Sequence, residues 1–179
     1  MEEIRIHGRG GQGVVTAAEL IALAAFFENR ESQAFPNFGV ERSGAPIQAY
    51  ARISNKKIIK REQIYEPSVL IIQDASLLEN SEIFNGCHKK TIIIINAPKD
   101  NQLKMICPTK NIYFSPATEI AMKIIGKNLV NTVILGAFAK YTGLVSLESL
   151  KKAIKEKFKD KGKEIISKNI QAIEYAYSL

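Results

Sequence analysis

The stretch Ile4-Arg5-Ile6-His7-Gly8-Arg9-Gly10-Gly11-Gln12-Gly13-Val14-Val15-Thr16 limits the possible folds more than any other part of the chain. Ile4 and Ile6 alternate with polar residues and predict a strand. A glycine cluster follows, and Val14 to Phe27 is a nearly unbroken apolar run that predicts a buried helix. Strand, glycine turn and helix together present unpaired backbone N–H groups, and roughly half a positive charge, to an approaching anion. Gly8, Gly10 and Gly13 fit G-x-G-x-x-G, with Gly11 as an extra position lacking Cβ.

The spacing alone leaves three readings open. A dinucleotide site also needs an apolar second strand ending in an acid about 20 residues on. There the chain has Glu28-Asn29-Arg30-Glu31-Ser32-Gln33-Ala34-Phe35-Pro36, a polar stretch in which no strand is predicted to carry Glu28 or Glu31. The glycines could instead serve only close strand-to-helix packing. In the third reading the loop Gly8, Arg9, Gly10, Gly11, Gln12 and Gly13 contacts an anion or docks a subunit, with Arg9 as a second positive element.

The remaining chain reads as alternating strands and helices. Phe35 to Pro46 is a shaped loop with two prolines, two glycines and an adjacent Glu41-Arg42 pair. Phe35 and Phe38 are costly to leave in water, so Phe35, Pro36, Phe38, Glu41 and Arg42 are candidate interface residues. The alternative is a surface turn with a weak ion pair. Ile47 to Ile53 alternates as a strand, and Ile58 to Arg61 is expected to return as its hairpin partner. Val69-Leu70-Ile71-Ile72 and Ile92-Ile93-Ile94-Ile95 are fully apolar and predict central strands. Asp74 and Asn96 close these runs at the rim where open α/β sheets hold ligands, although Asp74 serves equally as a helix cap.

A short helix is expected from Ser76 to Phe84, and Asn111 to Phe114 predicts a further strand. Helices are expected from Ser115 (N-cap) to Ile125, Leu129 to Tyr141, Ser146 (N-cap) to Lys159, and Lys163 to Tyr177. Gly136 and Ala137 would permit close helix packing. The expected fold is one α/β domain over residues 1–179. Its doubly wound, mostly parallel sheet carries a hairpin insertion and a helical C-terminal end.

Composition narrows the function. The net charge is +7, but many lysines lie between Lys151 and Lys168, interleaved with acids as on a solvated helix face. No recognition-helix, zinc-finger or aromatic RNA-binding signature accompanies them, so no nucleic-acid partner is expected. No apolar run reaches the eighteen or so residues of a membrane span, and no leader is visible, so a cytoplasmic protein with no membrane partner is expected. Cys87 and Cys107, 20 positions apart, cannot alone hold an iron–sulfur cluster or zinc, and His7 and His88 are isolated, so no metal site is expected. No nucleophile elbow, Walker lysine or paired-carboxylate cluster is present, so no catalytic residue is assigned. This scarcity favours a chain that supports chemistry performed elsewhere.

Gly8 to Leu20, Phe35 to Pro46, the strand to Ser54, and the segments around Asn131 to Gly143 and Lys168 to Ile170 together resemble the gamma subunit of the 2-oxoacid:ferredoxin oxidoreductases, nearest the pyruvate branch. The resemblance implies a complex that converts pyruvate and coenzyme A to acetyl-coenzyme A and carbon dioxide while reducing ferredoxin. It implies thiamine diphosphate, magnesium and iron–sulfur clusters held by alpha, beta and delta chains, with no cofactor bound by this chain alone and coenzyme A as co-substrate of the complex. The gamma chain would then dock, and its glycine loop would help receive coenzyme A. A gamma subunit for 2-oxoisovalerate or 2-oxoglutarate, a stand-alone nucleotide- or flavin-binding enzyme, and a purely structural module are the competing readings.

Overall fold

The structure is a computed structural model that describes residues 1–37, 44–98 and 108–179. Six strands form one mixed sheet: β1 (Glu2–Arg9), β2 (Glu31–Pro36), β3 (Pro46–Ser54), β4 (Val69–Ile72), β5 (Ile92–Asn96) and β6 (Ile112–Ser115). Their spatial order is β2-β3-β1-β4-β5-β6. The pairs β1–β4, β4–β5 and β5–β6 are parallel, whereas β3 runs antiparallel to both β1 and β2. The α-helices among the described residues are α1 (Val14–Phe27), α2 (Ala117–Ile120), α3 (Val130–Thr142), α4 (Leu147–Lys157) and α5 (Lys163–Ser178).

Period-two alternation divides the sheet's side chains between two cores. Ile4, Ile6, Ala49, Ala51, Ile53, Val69, Ile71 and Ile94 face the layer of α1, α3, α4 and α5. Leu70, Ile72, Ile93 and Ile95 face the other way, onto Leu77, Ile83 and Phe84. The crossover on this second face is two 3₁₀ turns, Ala75–Glu79 and Ser81–Phe84, rather than the single helix expected. Asn80 separates them, and its side chain accepts from Glu82 N.

Three expectations fail for identifiable reasons. The polar stretch after α1 does form a strand, β2, because an edge strand tolerates polar residues that a central one would bury. It also supplies the hairpin partner of β3. Ile58 to Arg61 forms no strand: the carbonyls of Lys60 and Glu62 are met by the Arg52 guanidinium at 3.4 and 2.6 Å, in place of a backbone ladder. Ser115 is not a cap either, since it ends β6 and Asn96 Oδ1 instead accepts from Thr118 N at 3.1 Å. Beyond α2 the chain continues as a π turn over Ala121–Ile125.

Ser146 does cap α4, accepting from Ser149 N at 3.1 Å. That helix ends at Lys157, followed by a 3₁₀ turn over Lys159–Lys161. Gly136 sits where α3 meets α5. A methyl group there would fall 2.3 Å from the Ile173 carbonyl and 2.9 Å from Ala176 Cβ. Gly136→Ala should therefore lower stability by about 2 kcal/mol, despite the ~1 kcal/mol gained in helix propensity. The midpoint of urea unfolding measures this, and an unchanged or raised midpoint would contradict the packing.

Candidate functional site

Strand β1 delivers the glycine loop to the C-terminal rim of the sheet, beside the ends of β4 and β5. Chain connections run from β1 toward β2 and β3 on one side, while β4 lies on the other, so a crevice opens between β1 and β4. Gly13 is the N-cap of α1 in the left-handed conformation (φ 69°), and no side chain caps the helix. Gly8 serves packing: a methyl group there would lie 2.6 Å from Val14 Cγ2.

Gly44 and Ala45, at the end of the second glycine-containing motif, lie beside the first, more than 20 positions away in sequence. Gly10 N donates to Ala45 O at 2.9 Å, Gly44 N to Gly10 O at 3.1 Å, and Arg9 Nη1 to Gly44 O at 3.1 Å. Arg9 also donates to Ser76 Oγ at 2.7 Å and pairs with Asp74 Oδ2 at 3.4 Å. Gln12 ties the loop together, accepting from Arg9 N at 2.8 Å and donating to Asp74 Oδ2 at 2.9 Å. Asp74 additionally caps the first 3₁₀ turn through Ser76 N, so the capping role and the rim position coincide. Partial burial pushes its carboxyl pKa up, but bonds from Ser76 and Gln12 and the Arg9 charge outweigh it and hold the pKa below the usual carboxylate value.

Behind this cluster lies a cleft of about 250 Å³, lined by Gln12, Gln73, Asp74, Asn96, Thr118 and Asn128 among others. Asn96 is committed, donating to Gln73 O and Thr118 Oγ1 at 2.9 and 2.8 Å. Gln73 is buried, and neither atom of its side-chain amide has a partner. Sequence reasoning named Asp74 and Asn96 and passed over Gln73. Its only signal was a second polar residue closing an otherwise apolar strand. The cleft thus offers amides and hydroxyls, while its one carboxylate is paired with Arg9. Amides and hydroxyls of this kind bind and orient a ligand through hydrogen bonds.

The acids considered for a ribose lie elsewhere. Glu28 follows α1 and accepts from Ser146 N at 2.7 Å, and Glu31 opens the antiparallel β2. Phe35 is half-buried, its ring 5.1 Å from that of Tyr50 and 5.1 Å beneath the Arg52 guanidinium. Pro36 ends β2, while Phe38, Glu41 and Arg42 lie outside the described residues, as does Cys107. Among the described residues no group of three or more His, Cys, Asp or Glu side chains could hold a metal ion, and no helix is long and apolar enough to cross a membrane.

Comparison with known proteins now decides the family. Residues 3–179 match pyruvate ferredoxin/flavodoxin oxidoreductase. The chain belongs to that family. Within it the chain is of the gamma type. It is 51% identical over 178 residues to pyruvate synthase subunit PorC of Methanocaldococcus jannaschii, covering 99% of this chain and 96% of that one. It is 47% identical to the common gamma subunit of the pyruvate/ketoisovalerate oxidoreductases of Pyrococcus furiosus, again over 99% and 96% of the two chains. The crystal structure of pyruvate oxidoreductase subunit PORC from Thermotoga maritima superposes with a TM-score of 0.87 at 35% identity, covering 99% of this chain and 95% of that one.

Proposed function

We propose that the chain is the gamma subunit of a pyruvate:ferredoxin oxidoreductase, in which pyruvate, coenzyme A and oxidised ferredoxin become acetyl-coenzyme A, carbon dioxide and reduced ferredoxin. It acts in the cytoplasm as the docking subunit for alpha, beta and delta chains that hold thiamine diphosphate, magnesium and the iron–sulfur clusters. The observation that carries this reading is the composition of the rim: amides and hydroxyls around a carboxylate already paired with Arg9. Such a site supports chemistry supplied by partners. The Pyrococcus furiosus relative is described as common to pyruvate and ketoisovalerate enzymes. This favours a gamma chain that leaves selection of the 2-oxoacid to its companions.

The glycine loop contributes to receiving coenzyme A. The first turn of α1 has no acidic residue and no side-chain cap, which suits a phosphate. Arg9 acts there chiefly by neutralising Asp74; without it a carboxylate would face the phosphate. In the assembled enzyme, Arg9→Ala should raise the KM for coenzyme A about tenfold, the size of one charge-assisted hydrogen bond. An unchanged KM removes the coenzyme A role. Co-expression tests the wider reading. The chain should elute with larger, brown, thiamine-dependent partners and turn over nothing alone, whereas 2-oxoacid oxidation by the isolated chain would refute it.

A further inference from the structure

Residues 55–66 have no regular secondary structure, yet two buried arginines fasten them to the sheet. Arg52, fully buried, pairs with Glu3 at 2.8 Å and donates to the Lys60 and Glu62 carbonyls. Arg5, also buried, donates to the Ile64 and Tyr65 carbonyls at 3.5 and 3.3 Å. It reaches Ile83 and Asn85 with its other terminal nitrogen at 3.0 and 2.7 Å. Guanidinium groups thus supply the donors that a neighbouring strand would otherwise provide.

What this fastening displays is unusual. Ile59 and Tyr65 are the two most exposed large apolar side chains among the described residues, at 82% and 68%. Around them Lys56, Lys57 and Arg61 are exposed and form no ion pair among the described residues. Lys60, by contrast, lies within 4 Å of Glu3 and Glu62. In the C-terminal region Lys151, Lys157, Lys159 and Lys168 each pair with a carboxylate of this chain at 2.7–2.9 Å. Lys152, Lys155, Lys161 and Lys163 are exposed there without such a pair among the described residues, so the strip is set apart by its exposed apolar side chains beside the cations. The strip also adjoins the aromatic loop, since Gln63 Nε2 donates to Asn37 Oδ1 at 2.6 Å.

We propose that residues 55–66 form a pre-shaped docking strip for an acidic surface on a partner subunit, with Ile59 and Tyr65 as apolar anchors and Lys56, Lys57 and Arg61 as a cationic rim. The proposal rests on the reading of this chain as a subunit. Charge complementarity selects the occupant: Lys56, Lys57, Lys60 and Arg61 outnumber the strip's two exposed acids, Glu62 and Glu66, and Glu62 lies beside Lys60, so the partner brings the carboxylates for the remaining cations. A second copy of this strip would bring the same sign and be repelled. The arginines hold the backbone before the partner arrives, so little ordering entropy is lost on docking.

The test uses the co-expressed complex, with a pair of variants and a cross-link. Ile59→Asp and the double variant Lys57→Glu/Arg61→Glu should each weaken association with the larger subunits at least tenfold, measured by mass photometry on dilution. The double variant should also lose most of the salt dependence of wild-type assembly, because rim charges act over a screened range. Neither should move the melting curve of the chain alone, since these side chains are exposed. Carbodiimide should join Lys56 or Lys57 to an aspartate or glutamate of a larger subunit. Variants that assemble with wild-type affinity, or cross-links joining two copies of this chain, would overturn the proposal while leaving the subunit reading intact. A wild-type chain that never assembles with those partners would overturn both.

Discussion

Arg5→Leu is expected to lower the melting temperature of the chain by about 10 °C. The substitution removes the side-chain donor that four carbonyls, those of Ile64, Tyr65, Ile83 and Asn85, have among the described residues. Hydrogen bonds to a charged group contribute about 1.5–3 kcal/mol each, but the four share one side chain and are not additive. Arg5 also loses hydration when buried, which pulls its pKa below the usual arginine value and offsets part of the gain. A net loss of about 3 kcal/mol remains, and in a chain of this size each kcal/mol moves the transition by roughly 2–4 °C. Arg5→Lys keeps the charge but offers one compact donor where the fork met carbonyls from two segments, so it should recover less than half of the loss. A leucine variant melting within about 2 °C of the wild type would show that the carbonyls find other partners.

Stability should also fall steeply in mild acid, and His7 is the reason. Burial, with a smaller contribution from the Arg5 charge, lowers its pKa from 6.5 to about 3. Its Nε2 has no partner to stabilise a cation. Above pH 6.5 the imidazole is neutral whether the chain is folded or not, and it contributes no pH dependence. Below that value the unfolded chain takes up a proton that the folded chain refuses until about pH 3, so acid favours unfolding throughout the window. One proton of difference costs about 1.4 kcal/mol per pH unit, or about 3 kcal/mol over the first two units. The lowered carboxyl pKa values of Glu28 and Asp74 act in the same direction, but below their ordinary values of 4.5 and 3.8. Urea midpoints at a series of pH values measure the slope. In His7→Gln the slope between about pH 6.5 and 4.5 should largely vanish, and a slope retained in that variant would assign the effect to other groups.

The elements that local pattern alone dictates were legible in the sequence. Val14–Phe27 is helical at both of its expected ends, and the apolar runs of β4 and β5 are central strands. The failures fall where a tertiary partner overrides local pattern. The polar stretch at Glu31–Pro36 becomes a strand because β3 offers it an edge. Ile58 to Arg61 has strand-like residues but lies against arginines, so it pairs with no strand. The π turn after α2 and the break at Asn80 likewise carry no period that a sequence window detects. At the rim, Asp74 and Asn96 were visible as polar residues ending apolar runs. The contact that joins Gly10 to Ala45 and Arg9 to Gly44 was not, because nothing in either motif names the other.

The strand order has a consequence for how the chain reaches this structure. Residues 2–54 contribute β1, α1, β2 and β3, an antiparallel sheet with its own covering helix, all from contiguous sequence. Within the parallel half, the β4–β5 and β5–β6 pairs close shorter loops than the antiparallel β1–β3 pair does, and only the β1–β4 pairing closes a longer one. The β1–β4 pairing, which joins the two halves of the sheet across its longest sequence separation, is therefore the one that loop-closure entropy makes most costly.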